Sequence, residues 1–102
     1  QPAKAIQSYN DLIKINPGNV LAYYNIGYVN LVYLSKYTEG VTFFSKAIEL
    51  DPNYTDAWYN RGFCYELLKD KPKATRDYQQ VLKIKPNDPK AVEGMNRLDK
   101  MK

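Results

Sequence analysis

Apolar residues recur at intervals of three and four through most of the chain, the spacing that gathers side chains into one stripe of an α-helix. From Asp56 to Leu68 the stripe is Ala57, Trp58, Arg61, Gly62 and Tyr65; further on it is Ala74, Tyr78, Val81 and Leu82. Between them Lys69-Asp70-Lys71 interrupts the pattern, and Pro72 suits the first turn of a new helix, where a missing N–H costs nothing. The second stretch ends at Pro86, which cannot continue the hydrogen-bond ladder. Helix starts are marked by Pro-Gly-Asn, Pro-Asn-Tyr and Pro-Asn-Asp turns. Asn19 and Asp88 are placed to accept from free N–H groups of an opening turn, and Pro89 fits the first helical position. The unit is helix, turn, helix, turn.

The unit repeats. Leu12-Ile13-Lys14-Ile15-Asn16-Pro17 aligns with Ala47-Ile48-Glu49-Leu50-Asp51-Pro52 and with Val81-Leu82-Lys83-Ile84-Lys85-Pro86, so the prolines stand 35 and 34 residues apart. A second marker, Tyr23-Tyr24-Asn25-Ile26-Gly27-Tyr28 against Trp58-Tyr59-Asn60-Arg61-Gly62-Phe63, has the same 35-residue offset. Small residues at Ala5, Gly27, Gly40, Gly62 and Ala74 fall at matched places. Glycine inside a helix costs roughly 1 kcal/mol relative to alanine, so its recurrence implies that two helices approach closely there.

The run Ala57-Trp58-Tyr59-Asn60-Arg61-Gly62, continued by Tyr65, Ala74, Tyr78, Val81 and Pro86, resembles a tetratricopeptide repeat, whose pattern is W-x2-L-G-x2-Y followed by a small residue, an aromatic, a small or aliphatic residue and proline. Arg61 stands where the family usually has leucine and Val81 where it usually has alanine. The preceding unit matches through Tyr23, Ile26, Gly27, Gly40, Phe44, Ala47 and Pro52, with one extra residue near the end of its first helix. The expected fold class is all-α, a solenoid of antiparallel helix hairpins forming one domain over residues 1–102. Residues 1–18 read as the second helix of a truncated repeat, 19–54 and 55–88 as full repeats, and 89–102 as a capping helix with Ala91, Val92, Met95 and Leu98 inward.

In this family the hairpins stack into a right-handed superhelix whose first helices line the concave face. The resemblance therefore implies a groove built from Leu21, Tyr24, Asn25, Tyr28 and one of Leu31 or Val32, then Asp56, Tyr59, Asn60, Phe63 and Glu66, and finally Lys90, Glu93 and Arg97. Tyr24, Tyr28, Tyr59 and Phe63 lie off the packing stripe of Tyr23, Ile26, Gly27 and Trp58. They either fill gaps between neighbouring first helices or form an aromatic strip for a protein or peptide ligand. The second is the expectation, because aromatic residues dominate binding hot spots. Candidate peptide-binding residues are thus Tyr24, Asn25, Tyr28, Tyr59, Asn60, Phe63, Lys90 and Arg97. One subclass of the family clamps the terminal carboxylate of chaperone tails. Of its residue set only Asn60 and Lys90 are present, with Tyr24, Tyr28 and Gly94 at the places of a lysine, an asparagine and an arginine. No such clamp is expected.

Composition narrows the chemistry. The chain has 44% hydrophobic and 25% charged residues, inside the range of folded domains. There is no histidine and one cysteine, Cys64, which excludes an internal disulfide, Ser-His-Asp and Cys-His catalysis and the usual zinc sites. Neither catalysis nor a cofactor is expected, and Cys64 reads as a small buried apolar residue. The net charge of +4 is uneven: from Lys69 onward ten basic residues meet five acidic ones. Lys69, Lys71, Lys73, Arg76, Lys83 and Lys85 fall on a turn and an outer helix side, interrupted by Asp70 and Asp77. That is the pattern of a solvated face, so nucleic acid is a minor alternative partner, as is service as the accessory module of a larger enzyme or envelope protein. No apolar run is long enough for a membrane span. The chain opens inside a structural unit and reads as a piece of something longer; its compartment, cytoplasmic or periplasmic, is not assigned. Ala5 and Leu12 are left to face an absent helix while Tyr9 and Ile13 pack inward, an arrangement that favours self-association through the N-terminal helix or fraying of its first turns.

Overall fold

The computed structural model describes residues 1–101. In that span it has six helices: α1 (Pro2–Ile15), α2 (Val20–Val32), α3 (Tyr37–Leu50), α4 (Thr55–Leu67), α5 (Lys71–Ile84) and α6 (Pro89–Asp99). Each packs on its neighbours in the chain, and α2, α4 and α6 also touch in that order. The result is an all-α tetratricopeptide-type solenoid, 41 × 25 × 19 Å, with the first helices side by side.

The prolines explain where the second helices stop. Each helix ends two residues before its proline, and the residue between, Asn16, Asp51 or Lys85, is extended with φ of −136°, −141° and −127°. A residue preceding proline is driven from the helical region by clash with the ring. Each such residue then closes a turn of the same kind, its C=O accepting from the N–H of Asn19, Tyr54 or Asp88 at 3.0–3.1 Å. Two starts are capped as expected, the Asn19 and Asp88 side chains accepting from the N–H groups of Ala22 and Ala91, and Asp70, read only as part of a break, caps α5 by accepting from the N–H of Lys73. The extra residue of the preceding unit lies in the α2–α3 turn, residues 33–36, and not within α2; the α4–α5 turn spans only 68–70.

Matched glycines seat aromatic rings. A Cβ at Gly27 would lie 2.9 Å from the Phe44 ring, and one at Gly62 would lie 3.0 Å from the ring of Tyr78. Gly27 and Phe44 thus join α2 to α3 as Gly62 and Tyr78 join α4 to α5. One apolar cluster holds Leu31, Phe44, Ala47, Ile48, Ala57 and Cys64; a second holds Ala74, Tyr78 and Leu98. Leu31 is therefore core, which leaves Val32 as the exposed member of that pair.

Two expectations about the ends and faces need correction. In α6 the inward residues are Ala91, Gly94 and Leu98, with Met95 half-buried, whereas Val92 is 39% exposed. Tyr78 occupies the space beside Gly94, so the helix is rotated to bring its glycine, and not Val92, to the ring. Asp77 is only 2% exposed and so does not belong to the solvated basic face. At the other end α1 has no fully buried residue: Ala5, Tyr9 and Ile13 are half-buried, while Leu12 and Ile15 are 45% and 83% exposed.

Candidate functional site

The face shared by α2, α4 and α6 carries a continuous row of rings and cations. On α2, Tyr24 and Tyr28 are one turn apart and their rings stack with centroids at 6.3 Å. On α4, Tyr59 and Phe63 repeat the arrangement at 6.3 Å, their planes nearly parallel at 7°. The cap supplies the charge. Lys90 Nζ lies 5.4 Å from the Tyr59 ring and Arg97 Cζ lies 5.4 Å from the Phe63 ring, each within cation–π range. Period and helix length together produce this row, because residues 24 and 59 and residues 28 and 63 are one repeat apart on adjacent parallel helices.

Each member of the row is tied down differently. Tyr24 is more than an off-stripe groove residue: its ring stacks on Tyr54 at 4.8 Å and tilts against Phe44 at 5.5 Å. Its hydroxyl accepts a 2.8 Å hydrogen bond from Asn60 Nδ2. Burial, helped by the Asp56 charge, pushes the Tyr24 phenol up to about 12. Tyr24 thus fills the gap between neighbouring helices, and Asn60 has a partner within the array. Asn25 has no side-chain hydrogen bond among the described residues, and Tyr28 is 41% exposed. Tyr59 rests against Tyr78 at 5.6 Å. Lys90 is 3.6 Å from Asp56, an exposed pair of little energetic weight.

Glu66 anchors the C-terminal part of the row. Its Oε1 accepts from the Tyr78 hydroxyl at 2.7 Å, and its carboxylate takes Arg97 Nε and Nη2 at 2.8 and 3.2 Å. The Glu66 hydrogen bond raises Arg97 above the usual guanidinium range, and burial followed by the Glu66 contact raises the Tyr78 phenol. Arg97 is therefore a fixed cation, held over the Phe63 ring by Glu66, and not a freely moving one.

A second polar cluster lies on another face of α4. Arg61 donates through Nε and Nη2 to the two oxygens of Asp77, at 2.9 and 2.7 Å, and through Nη1 to Ser45 Oγ at 3.1 Å. Its guanidinium covers the Trp58 ring at 5.0 Å and the Tyr65 ring at 5.9 Å. Burial pushes the Asp77 carboxyl up, against the pull of Arg61. The signal for this pair is present in the sequence, since Asp77 falls between Ala74 and Val81 on an inward stripe and faces the one cation on the stripe of α4. Cys64 is fully buried near Gly40, and burial followed by the Asp77 charge raises its thiol to about 12, far from a reactive thiolate. Among the described residues no three His, Cys, Asp or Glu side chains gather as a metal would need, and no helix is long and apolar enough to cross a membrane.

Two family models match the chain, one described as "Tetratricopeptide repeat" over residues 55–88 and one as "TPR repeat" over residues 30–69. The chain is 38% identical over 86 residues to serine/threonine-protein phosphatase 5 of Mus musculus, covering 82% of this chain and 17% of that protein. It is 33% identical over 94 residues to Hsp70-Hsp90 organizing protein 3 of Arabidopsis thaliana, covering 92% of this chain and again 17% of the relative. The chain therefore spans about a sixth of the length of these relatives. Its backbone superposes with a TM-score of 0.90 on the second TPR domain of human RPAP3, solved in complex with the HSP70 peptide SGPTIEEVD, at 28% identity over 96% of this chain and 81% of that one.

Proposed function

The chain belongs to the tetratricopeptide repeat family, and on that premise we propose that it is a non-catalytic binding module that holds an extended segment of a partner protein in the groove of α2, α4 and α6. The observation that carries this is the ring-and-cation row: Tyr28 and Phe63 present ring surface while Lys90 and Arg97 hold positive charge beside it. Such a surface suits a segment with apolar and acidic side chains in alternation. The likeness to RPAP3 and the organizing protein supports a peptide as the ligand class.

The terminal-carboxylate clamp is not part of this reading. Asn60 is engaged by Tyr24, and the tyrosines leave α2 without a cation. Changing Tyr28 and Phe63 together to alanine, which spares the better-packed Tyr24 and Tyr59, is expected to reduce partner recovery in quantitative affinity capture by at least about tenfold, as hot-spot truncation does. Equal recovery with an unchanged circular dichroism spectrum would mean that the row is structural. Micromolar binding of the peptide SGPTIEEVD in a fluorescence titration would restore the clamp.

The bare side of α1 supports a second contact, self-association through Leu12 and Ile15. Sedimentation velocity is expected to show a concentration-dependent dimer that Leu12→Lys with Ile15→Lys abolishes; a monomer at all concentrations, with α1 protected from hydrogen exchange, removes it.

A further inference from the structure

Between α4 and α5, on a different side of α4 from Tyr59 and Phe63, lies an open hollow of about 420 Å³ lined by Trp58, Arg61, Tyr65, Lys73, Arg76, Asp77 and Gln80. Its charges are not equivalent. Asp77 is consumed by Arg61 through both carboxylate oxygens, and Arg61 is further pinned by Ser45 and by the rings of Trp58 and Tyr65. That assembly forms a rigid back wall. In front of it stand Lys73, Arg76 and Gln80, at spacings of three and four on one side of α5. Lys73 has a long 3.9 Å contact with Asp70 and lies 5.5 Å from the Tyr65 ring centroid, and Arg76 has no acidic partner within 4 Å among the described residues. The hollow thus has two cations without a close acidic partner, and an amide donor, beside the Arg61–Asp77 wall.

We propose that this hollow binds a phosphorylated side chain of a partner polypeptide, at a site separate from the α2–α4–α6 groove. A phosphate monoester carries close to two negative charges and three acceptor oxygens that point in different directions. Lys73, Arg76 and Gln80 come from successive turns and line one hollow, so they offer donors in the number such an acceptor can use. A carboxylate, with two coplanar oxygens, is satisfied by one guanidinium and leaves the remaining donors unused. The aromatic floor of Trp58 and Tyr65 gives the stem of the modified residue an apolar surface to lie on.

Trp58 is the only tryptophan and lines the hollow, so its emission reports occupancy directly. The test is a titration of the 102-residue chain at low salt with a hexapeptide carrying phosphoserine or phosphotyrosine, with the same peptide unmodified, and with glutamate in place of the phosphoresidue; calorimetry runs in parallel. A saturable signal with either phosphopeptide is expected, weakened about tenfold or more by Arg76→Gln and by Lys73→Gln, and unchanged by Tyr28→Ala. Both variants alter exposed side chains, and the far-UV spectrum verifies their fold. The proposal is overturned if neither phosphopeptide gives saturable heat or emission change at millimolar concentration. It is equally overturned if the glutamate or unmodified peptide binds as well, if Arg76→Gln and Lys73→Gln bind as wild type, or if a short single-stranded RNA binds more tightly than the phosphopeptides.

Discussion

Asp77→Ala is expected to lower the unfolding free energy by about 3–5 kcal/mol, the range found when one partner of a buried ion pair is removed. The side chains of Arg61 and Asp77 are 19% and 3% exposed, so the loss is not softened by water as it would be at a surface pair. Without Asp77, the guanidinium keeps one neutral partner, Ser45, and its position over Trp58 and Tyr65. It must then either remain charged and underpaired or swing out and uncover the Trp58 and Tyr65 rings. Arg61→Leu, which installs the residue usual in the family, removes the cation but strands the Asp77 carboxylate and is expected to cost a comparable amount. The double variant Arg61→Leu with Asp77→Ala is expected to lie within about 1–2 kcal/mol of wild type, because neither buried charge remains. Urea unfolding of the four proteins measures the coupling. Costs for the two single variants that simply add in the double one would show that the pair contributes nothing specific.

Gly94→Arg, which places an arginine where the chaperone-tail clamp has one, is expected to destabilise the array and create no anion site. A Cβ at Gly94 would sit 2.6 Å from Cε2 and 2.7 Å from Cζ of Tyr78. The ring cannot retreat, since Gly62 receives its other edge and Glu66 holds its hydroxyl. The clash begins at the first side-chain atom, so Gly94→Ala already meets it. That substitution gains about 1 kcal/mol of helix propensity yet is expected to lose about 1–3 kcal/mol net through overpacking. Melting temperature should fall by roughly 4–8 °C per kcal/mol for a domain of this size, and amide exchange in α6 should accelerate first. A Gly94→Ala protein more stable than wild type would show that the ring moves aside without cost and that α6 is loosely docked.

How much of this was legible beforehand depends on the range of the determining interaction. Helix ends were readable because they obey local rules: a residue before proline cannot stay helical, and Asn19 and Asp88 cap the chain that immediately follows them. The repeat was readable because Gly27 and Gly62 must be small for the rings of Phe44 and Tyr78 to fit. Which residues share the face of the first helices was implied by the family resemblance together with the repeat register. Their bonding was not. Asn60 meets Tyr24 across 36 positions, Arg97 meets Glu66 across 31, and Arg61 meets Asp77 across 16.

The sequence by itself determined six helices, their order, the hairpin period and the small residues at which helices touch, since each follows from backbone sterics or from a 3.6-residue stripe. Tertiary structure alone decided how far each helix turns about its axis. A stripe specifies a face only to within a side chain's width, and the neighbouring ring settles the remainder: Tyr78 brings Gly94 inward and leaves Val92 in water. In α5 the stripe of Ala74 and Val81 already holds Asp77, and the tertiary structure supplies its partner, closing it on Arg61 and making a residue of the basic run the wall of a hollow.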